Sequence, residues 1–371
     1  MKVLHVITNF AAVGGAETML SRLILAQPQF EHHVVALMRV NETYQTALAQ
    51  CASVTALQWN GRNSLSVLKQ LGSVIRQIQP DVIQGWMYHA NVMSKLACIG
   101  LKQAPPLYWG IHHSLASWQE ESRSTKLALY LSRILSPYVT GIVYCAHSAQ
   151  AQHQAFGFRA KQHCVIANGI VMDDFKHPAV QVDQSQSYPS QQHSPLLVGF
   201  AGRYHVAKGF EYLFALIASV QHLPIEFWIA GKGADLNNPD IQQLIQQHCI
   251  DLDKIKLMGQ VQDMPAFYQQ LDLFVMTSIT EGLPTVLIEA MASGVPCVTT
   301  DVGDAGFIVQ DTGYVVPARD VEQLSQAVQT FYALPEAEKM QLKQQTRARV
   351  KRHFSIESIA AQYAALWNLS R

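Results

Sequence analysis

Charge is scarce in this chain. Asp, Glu, Lys and Arg supply 15% of the 371 residues, and 27 basic side chains offset 27 acidic ones. That balance gives no sign of a nucleic-acid partner. Cysteine is sparse too. Cys51, Cys98, Cys145, Cys164, Cys249 and Cys297 lie scattered with no C-x-x-C pair, the usage of reduced, mostly buried thiols in a cytoplasmic protein. No apolar run reaches the roughly 18 uninterrupted residues of a membrane-spanning helix. The first residues, Met1 to Asn9, read as a short strand rather than a signal peptide. Any membrane association is therefore expected to be peripheral, on the cytoplasmic face. The fifteen histidines contain no H-x-x-x-H zinc pattern. No G-x-G-x-x-G follows the first strand, which argues against an NAD-dependent dehydrogenase.

What the chain has in quantity is apolar surface, 49% of its residues, over a length that exceeds one ordinary core. Val3–Ile7 reads as a strand, and the glycine-containing turn from Asn9 to Glu17 leads into a helix over 18–25. That is the opening of a doubly wound α/β domain. Strands at 33–37, 81–84, 107–110, 141–145 and 164–167 alternate with helices at 64–78, 91–101, 126–135 and 149–156. The polar run from Gln181 to Gln192 cannot build a core. The pattern restarts with a strand at 196–201 and continues through strands at 225–230, 255–258, 273–276 and 296–300. The expected division is 1–178, a linker or loop at 179–195, a second domain at 196–352, and a C-terminal helix within 353–371 that packs back on the first. The expected fold is α/β, two Rossmann-like doubly wound domains facing across a cleft. Residues 1–175 carry 13 basic against 8 acidic side chains, an imbalance that fits an anionic acceptor or a membrane surface as well as chance. The segment 126–135 is amphipathic at helical spacing. Ordinary packing is its first reading, a membrane- or acceptor-facing helix its second.

The stretch from Thr280 to Pro296 organises the rest. Pro284 suits the first position of a helix, and Gly294 with Pro296 suits its end. The amides of Thr285 and Val286 then lack intrahelical acceptors at the positive end of the helix dipole, which makes an anion site suited to phosphate. Glu281 in the loop and Glu289 inside the helix flank that site. They fit a ligand with sugar, diphosphate and ribose in a line, or are simply solvated acids. Arg203 and Lys208 leave the end of one strand five residues apart. They would neutralise a diphosphate from two sides, or are two solvated cations. Gly14 and Gly15 allow close backbone approach at a helix start, or serve a tight turn. His112 follows a strand end, where it touches substrate or caps a loop. Asp251-Leu252-Asp253 spells a metal-binding D-x-D but reads as a surface turn.

In these residues the chain resembles the retaining nucleotide-sugar glycosyltransferases of family 4, which have the GT-B fold. The likeness rests on Gly202-Arg203 with Lys208-Gly209, on Glu281-x7-Glu289 ahead of Ala290-x-Ala292-x-Gly294-x-Pro296, on Gly14-Gly15-Ala16-Glu17, on Asn168-Gly169-Ile170 and on Asp301-Val302-Gly303. It implies that Arg203 and Lys208 bind the donor diphosphate and that Glu289 holds the ribose hydroxyls. Glu281, Gly282, Leu283 and Pro284 would contact the donor sugar. Gly231 and the backbone around Gly259 and Val261 would contribute to the nucleotide site, Gly259 and Val261 at the base. Gly15 would approach the phosphates, Asn168 would belong to the substrate- or nucleotide-binding residues, and His112 would approach the donor sugar near the reaction centre. The pattern departs from the family after Asn168-Gly169-Ile170, where Val171 stands in place of the common Asp, and either His112 or His113 matches the family histidine. The resemblance implies metal-independent transfer of a hexose or N-acetylhexosamine from a nucleotide-sugar, UDP first and GDP second, to a glycan or lipid-linked acceptor in surface polysaccharide synthesis. No cofactor and no nucleic acid is implied. A sugar-nucleotide epimerase and a non-catalytic nucleotide-sugar-binding protein are the rival readings.

Overall fold

The computed structural model describes residues 1–11, 14–115, 122–175 and 195–369. They form two units, Met1–Gly169 together with the C-terminal stretch from Ile356, and Ile170–Ser355.

The first unit holds a seven-stranded parallel sheet. Its strands are β1 (Lys2–Ile7), β2 (Glu31–Ala36), β3 (Ser53–Ala56), β4 (Val82–Trp86), β5 (Leu107–Ile111), β6 (Gly141–Tyr144) and β7 (Gln162–Val165), in the order β3-β2-β1-β4-β5-β6-β7. Helices α1 (Gly15–Ala26), α2 (Gln45–Leu48), α3 (Ser64–Ile78), α4 (Tyr88–Ala97), α5 (Arg123–Leu135) and α6 (His147–Phe156) join them. Every residue of β4, β5 and β6 is buried. A parallel strand covered on both faces needs such a run instead of alternation. α3 shows the complementary pattern, burying Val67, Leu71 and Ile75 at helical spacing.

The second unit repeats the scheme with β8 (Leu196–Ala201), β9 (Ile225–Ala230), β10 (Ile255–Gly259), β11 (Leu273–Met276), β12 (Cys297–Thr300) and β13 (Tyr314–Val316), ordered β10-β9-β8-β11-β12-β13. Its helices are α7 (Phe210–Val220), α8 (Pro239–Gln247), α9 (Met264–Tyr268), α10 (Thr285–Ala292), α11 (Ala305–Val309), α12 (Val321–Ala333) and α13 (Glu336–His353). In both sheets the first strand is central and the order reverses beside it, as in Rossmann domains.

The structure moves the end of the first unit from residue 178 back to Gly169. Ile170 N donates to Phe354 O (3.0 Å), and Arg347 donates to Phe175 O (2.9 Å), so 170–175 packs with the second unit. The expected linker at 179–195 lies outside the described residues apart from Pro195. The final helix, α14 (Ile356–Asn368), returns to the first unit and lies along α1. Gln27 Nε2 donates to Ala360 O (2.7 Å), and Trp367 Nε1 donates to Gln84 Oε1 (3.3 Å).

Beneath α14 runs a buried relay. His32 Nε2 faces the Gln27 carbonyl at 3.0 Å and must donate to it. A neutral His32 therefore accepts at Nδ1 from His5 Nε2 (3.0 Å), and His5 Nδ1 accepts from Trp86 Nε1 (3.3 Å). Both imidazoles are neutral, and burial pushes both pKa values down. Trp367 packs its ring on His5 and Tyr363 within this layer and is 1% exposed. Trp367→Ala is expected to cost about 3–5 kcal/mol of stability in urea unfolding. A loss below about 1 kcal/mol, the level of a surface change, would contradict this docking of α14.

Candidate functional site

In an open α/β sheet, ligands bind outside the carboxyl ends of the strands where the order reverses. In the second unit that point lies between β8 and β11. The loop after β8 carries Gly202, Arg203 and Lys208, and the loop after β11 carries Glu281 to Pro284.

Backbone contacts strap the two loops together. Ile279 N donates to Ala207 O (2.8 Å), and Thr277 Oγ1 donates to Gly209 O (3.0 Å). Gly209 has φ +65° and lies so close to Thr277 that a Cβ there would overlap the Thr277 carbonyl. The strap brings Lys208 Nζ to 2.6 Å from Glu281 Oε1, and Ser278 Oγ donates to the same oxygen at 2.7 Å. Their side chains are 24% and 13% exposed, so the pair is largely shielded. Sequence reasoning gave Lys208 to a phosphate and Glu281 to a sugar without foreseeing that they pair. Arg203 stands exposed and has no hydrogen-bond or ionic partner among the described residues.

Helix α10 starts one residue later than expected. Pro284 is its N-cap (φ −74°, ψ 92°) instead of its first turn, and makes no side-chain cap. Of the first three helical amides, only that of Leu287 has an acceptor among the described residues, Pro284 O (3.1 Å). The amides of Thr285 and Val286 are left for an anion. At the other end Gly294 N bonds Met291 O and Val295 N bonds Ala290 O, the Schellman closure that Gly294 suggested. Glu289, in the second turn, accepts from Tyr268 Oη (3.0 Å) of α9. Leu283 is half-buried. Gly282 O accepts from Asp304 N (2.9 Å), and Gly303, at φ +57°, leaves no room for a Cβ beside the Glu281 and Gly282 carbonyls.

The neighbouring loops close the rim. Gly202 N donates to Ala230 O (2.9 Å), Tyr204 N to Lys232 O (2.8 Å) and Gly231 N to Gly259 O (2.6 Å). Val261 lies just past Gly259, half-buried. Asp251 caps a short turn by accepting from Asp253 N (3.0 Å), as a surface turn would.

A second cluster forms within the first unit. Gly14 is the N-cap of α1, and Gly15 is its first helical residue, a turn earlier than expected. A Cβ on Gly15 would lie 3.7 Å from Asn168 Nδ2. Asn168 Oδ1 in turn accepts from His112 Nδ1 (2.8 Å). His112 stacks on Trp86 (5.1 Å, 22°), a contact that no sequence signal announced. Its Nε2 is buried with no partner, so the neutral ring presents a lone pair. His113 points instead at Tyr88, edge-on at 6.1 Å. His112 is thus the histidine that joins Gly15 and Asn168. The structure brings His112, Asn168 and Gly15 together in the first unit and Lys208 and Glu281 together in the second, groupings that the sequence reading did not make. Tyr268, Ser278 and Trp86 were missed.

Two family models match this chain. Glycosyltransferase Family 4 matches residues 13–174, and Glycosyl transferases group 1 matches residues 195–333. The chain belongs to the family 4 (group 1) glycosyltransferases. Among curated relatives, glycosyltransferase EpsF of Bacillus subtilis is 24% identical over 81% of this chain and 79% of its own length. The lipopolysaccharide core biosynthesis glycosyltransferase LpsE of Rhizobium meliloti is 23% identical over 99% and 98%. The crystal structure of Anabaena HepE in complex with UDP superposes over the full length of both chains, with TM-score 0.77 at 19% identity. Such neighbours give this glycosyltransferase the GT-B type of fold, built of two Rossmann-like domains.

The histidines of this transferase make its stability sensitive to acid. Burial pushes the His112 pKa down to about 4, opposed by the hydrogen bond to Asn168. His153 is pushed down to about 4 by burial, and His5, His32 and His89 are also lowered by it. Above about pH 6.5 both folded and unfolded forms are neutral and the histidines add no pH dependence. As pH falls from about 6.5 towards 4 the unfolded chain takes up protons that the folded chain refuses. Stability should fall there by up to about 1.4 kcal/mol per pH unit for each such histidine. Urea midpoints measured across that window are expected to drop steeply, and less steeply for His112→Asn. A flat wild-type profile would contradict the neutral, buried imidazoles.

Proposed function

We propose that this glycosyltransferase moves a hexose or N-acetylhexosamine from a UDP-linked donor to a glycan or lipid-linked acceptor in surface polysaccharide synthesis. Transfer proceeds with retention of the anomeric configuration and without a metal ion. The observation that carries this reading is that Arg203, in the same loop as the paired Lys208, and the amides of Thr285 and Val286 have no partner among the described residues. Glycosyl transfer builds positive charge on the anomeric carbon and negative charge on the departing diphosphate. Arg203, Lys208 and the α10 amides stabilise the diphosphate, the work a divalent cation would otherwise do. Glu289, held by Tyr268, accepts from the ribose hydroxyls. Glu281 turns Oε2 to the donor sugar while Oε1 is held by Lys208 and Ser278. His112, held neutral by burial and by donating from Nδ1 to Asn168, is suited to a contact with a donor-sugar hydroxyl.

UDP as the nucleotide is supported by solved relatives described in complex with UDP and with UDP-glucose. A polysaccharide acceptor is supported by a relative named for lipopolysaccharide core biosynthesis. A lipid-linked acceptor would bring the enzyme to the cytoplasmic face of a membrane as a peripheral protein. No helix among the described residues is long and apolar enough to cross one.

Arg203→Ala and Lys208→Ala are each expected to lower kcat/KM on the order of a hundredfold, about 3 kcal/mol. EDTA should leave turnover unchanged, and NMR of the product should show the donor's anomeric configuration. Thermal-shift screening should favour UDP-sugars over GDP-sugars, with about 2.7 kcal/mol of stabilisation at ~100 times the dissociation constant. Intact turnover in both variants would overturn the assignment. Release of a new sugar-nucleotide without acceptor would mark an epimerase instead.

A further inference from the structure

Helix α5 has two apolar faces where a globular helix needs one. Ala128, Leu129 and Ser132 are buried on the side that packs against α4. Leu127, Tyr130, Leu131 and Ile134, followed by Tyr138 in the next turn, repeat at i, i+3, i+4, i+7 and i+11. At about 100° per residue they form one stripe opposite the buried side. That stripe lies in solvent, with Leu127 62%, Ile134 64% and Tyr138 67% exposed. Among the described residues fifteen large apolar side chains are exposed, and five belong to these twelve consecutive positions. The others are scattered, as single exposed apolar residues ordinarily are.

Cations surround the stripe. Arg123 and Lys126 stand at its start and Arg133 on its flank. Lys95 of α4 lies 6.0 Å from the centre of the Tyr138 ring, and Ile99, exposed, follows in the same segment. From Val82 to Met172 the sequence holds seven Lys and Arg against two acidic residues, Glu120 and Glu121. The apolar surface continues into a cavity of about 510 Å³ lined by Leu115, Tyr130, Gln152, Ala155 and Phe156. Leu115 follows closely on His112 in the chain.

We infer that α5 and the turn to Tyr138 dock on a bilayer containing anionic lipids. Leu127, Leu131 and Ile134 enter the acyl boundary, Tyr130 and Tyr138 sit at headgroup level, and Arg123, Lys126 and Arg133 meet the lipid phosphates. The charge complementarity selects this occupant, because an apolar stripe rimmed by cations matches an anionic interface and not a neutral protein groove. The side chains that would enter the bilayer are already exposed, so docking uncovers nothing in the core.

The full chain should co-sediment with vesicles of phosphatidylcholine and phosphatidylglycerol, less so at high salt, and remain in the supernatant with phosphatidylcholine alone. Leu127→Ser combined with Ile134→Ser should lower the bound fraction on the order of tenfold or more, and Lys126→Glu should lower it on the anionic vesicles. Leu236→Ser with Leu252→Ser, exposed positions of the other unit, should bind as wild type. All variants should keep the wild-type melting transition and its vesicle-free rate of UDP-sugar hydrolysis. Wild type that ignores both vesicle types would overturn the inference, as would stripe variants that bind like wild type. A dimer in vesicle-free sedimentation that the stripe variants dissolve would also overturn it, since the stripe's occupant is then a second copy. Vesicle binding by a chain that consumes no nucleotide-sugar would uphold this inference and sink only the proposed function.

Discussion

The backbone strap between the loops after β8 and β11, which sets Lys208 against Glu281, is the constraint on which the strand-end architecture of the second unit turns. Two opposite charges removed from water lose hydration that their attraction alone does not always restore. Here the carboxylate oxygen takes a second donor, Ser278, at 2.7 Å, and the loops that carry the pair are joined through their backbones at Ala207–Ile279 and Gly209–Thr277. The geometry is therefore imposed by the switch point between β8 and β11, and the ion pair settles into it. With Lys208 engaged, Arg203 and the first amides of α10 remain as positive groups without a protein counter-charge among the described residues. A surplus of donors at strand ends suits an anion, the basis on which a diphosphate is proposed here.

The two units answer different chemical needs. The second concentrates fixed positive charge. The first places a histidine that is kept neutral. Burial lowers the His112 pKa to about 4, Asn168 holds its Nδ1–H, and Trp86 lies flat beneath it. A neutral imidazole adds no charge to this buried layer, and its Nε2, also buried, has no hydrogen-bond partner among the described residues. The same Trp86 donates to His5, so the ring under His112 belongs to the relay of neutral histidines that α14 covers. Closing the first unit with the last helix of the chain thus supports the stack of Trp86 on His112.

Much of this was legible in the residues. Long runs such as Leu196–Ala201 and Ile225–Ala230 announced strands at their actual bounds, because buried parallel strands need continuous apolar sequence. Short edge elements escaped: β3, with four residues and none buried, and β13, with three and only Val316 buried, carry too little pattern to separate from loop. Glu281, Glu289, Arg203 and Lys208 could be picked out by spacing from a helix start or a strand end. Their pairing could not, because it depends on β8 lying beside β11, a neighbour relation fixed by the sheet. Pro284 became a cap because the loop before it is held by Asp304 and Gly303, which lie beyond the reach of local propensity. The periodicity of α5 was plain, but a period cannot say which of two apolar faces the core will take.

A crystal structure of the chain with UDP tests the central claim most directly. The diphosphate is expected at the β8–β11 switch point, within hydrogen-bond distance of the Arg203 guanidinium and the amides of Thr285 and Val286, with the ribose at Glu289. UDP bound elsewhere, or bound there with Arg203 turned into solvent and the ribose away from Glu289, would contradict it.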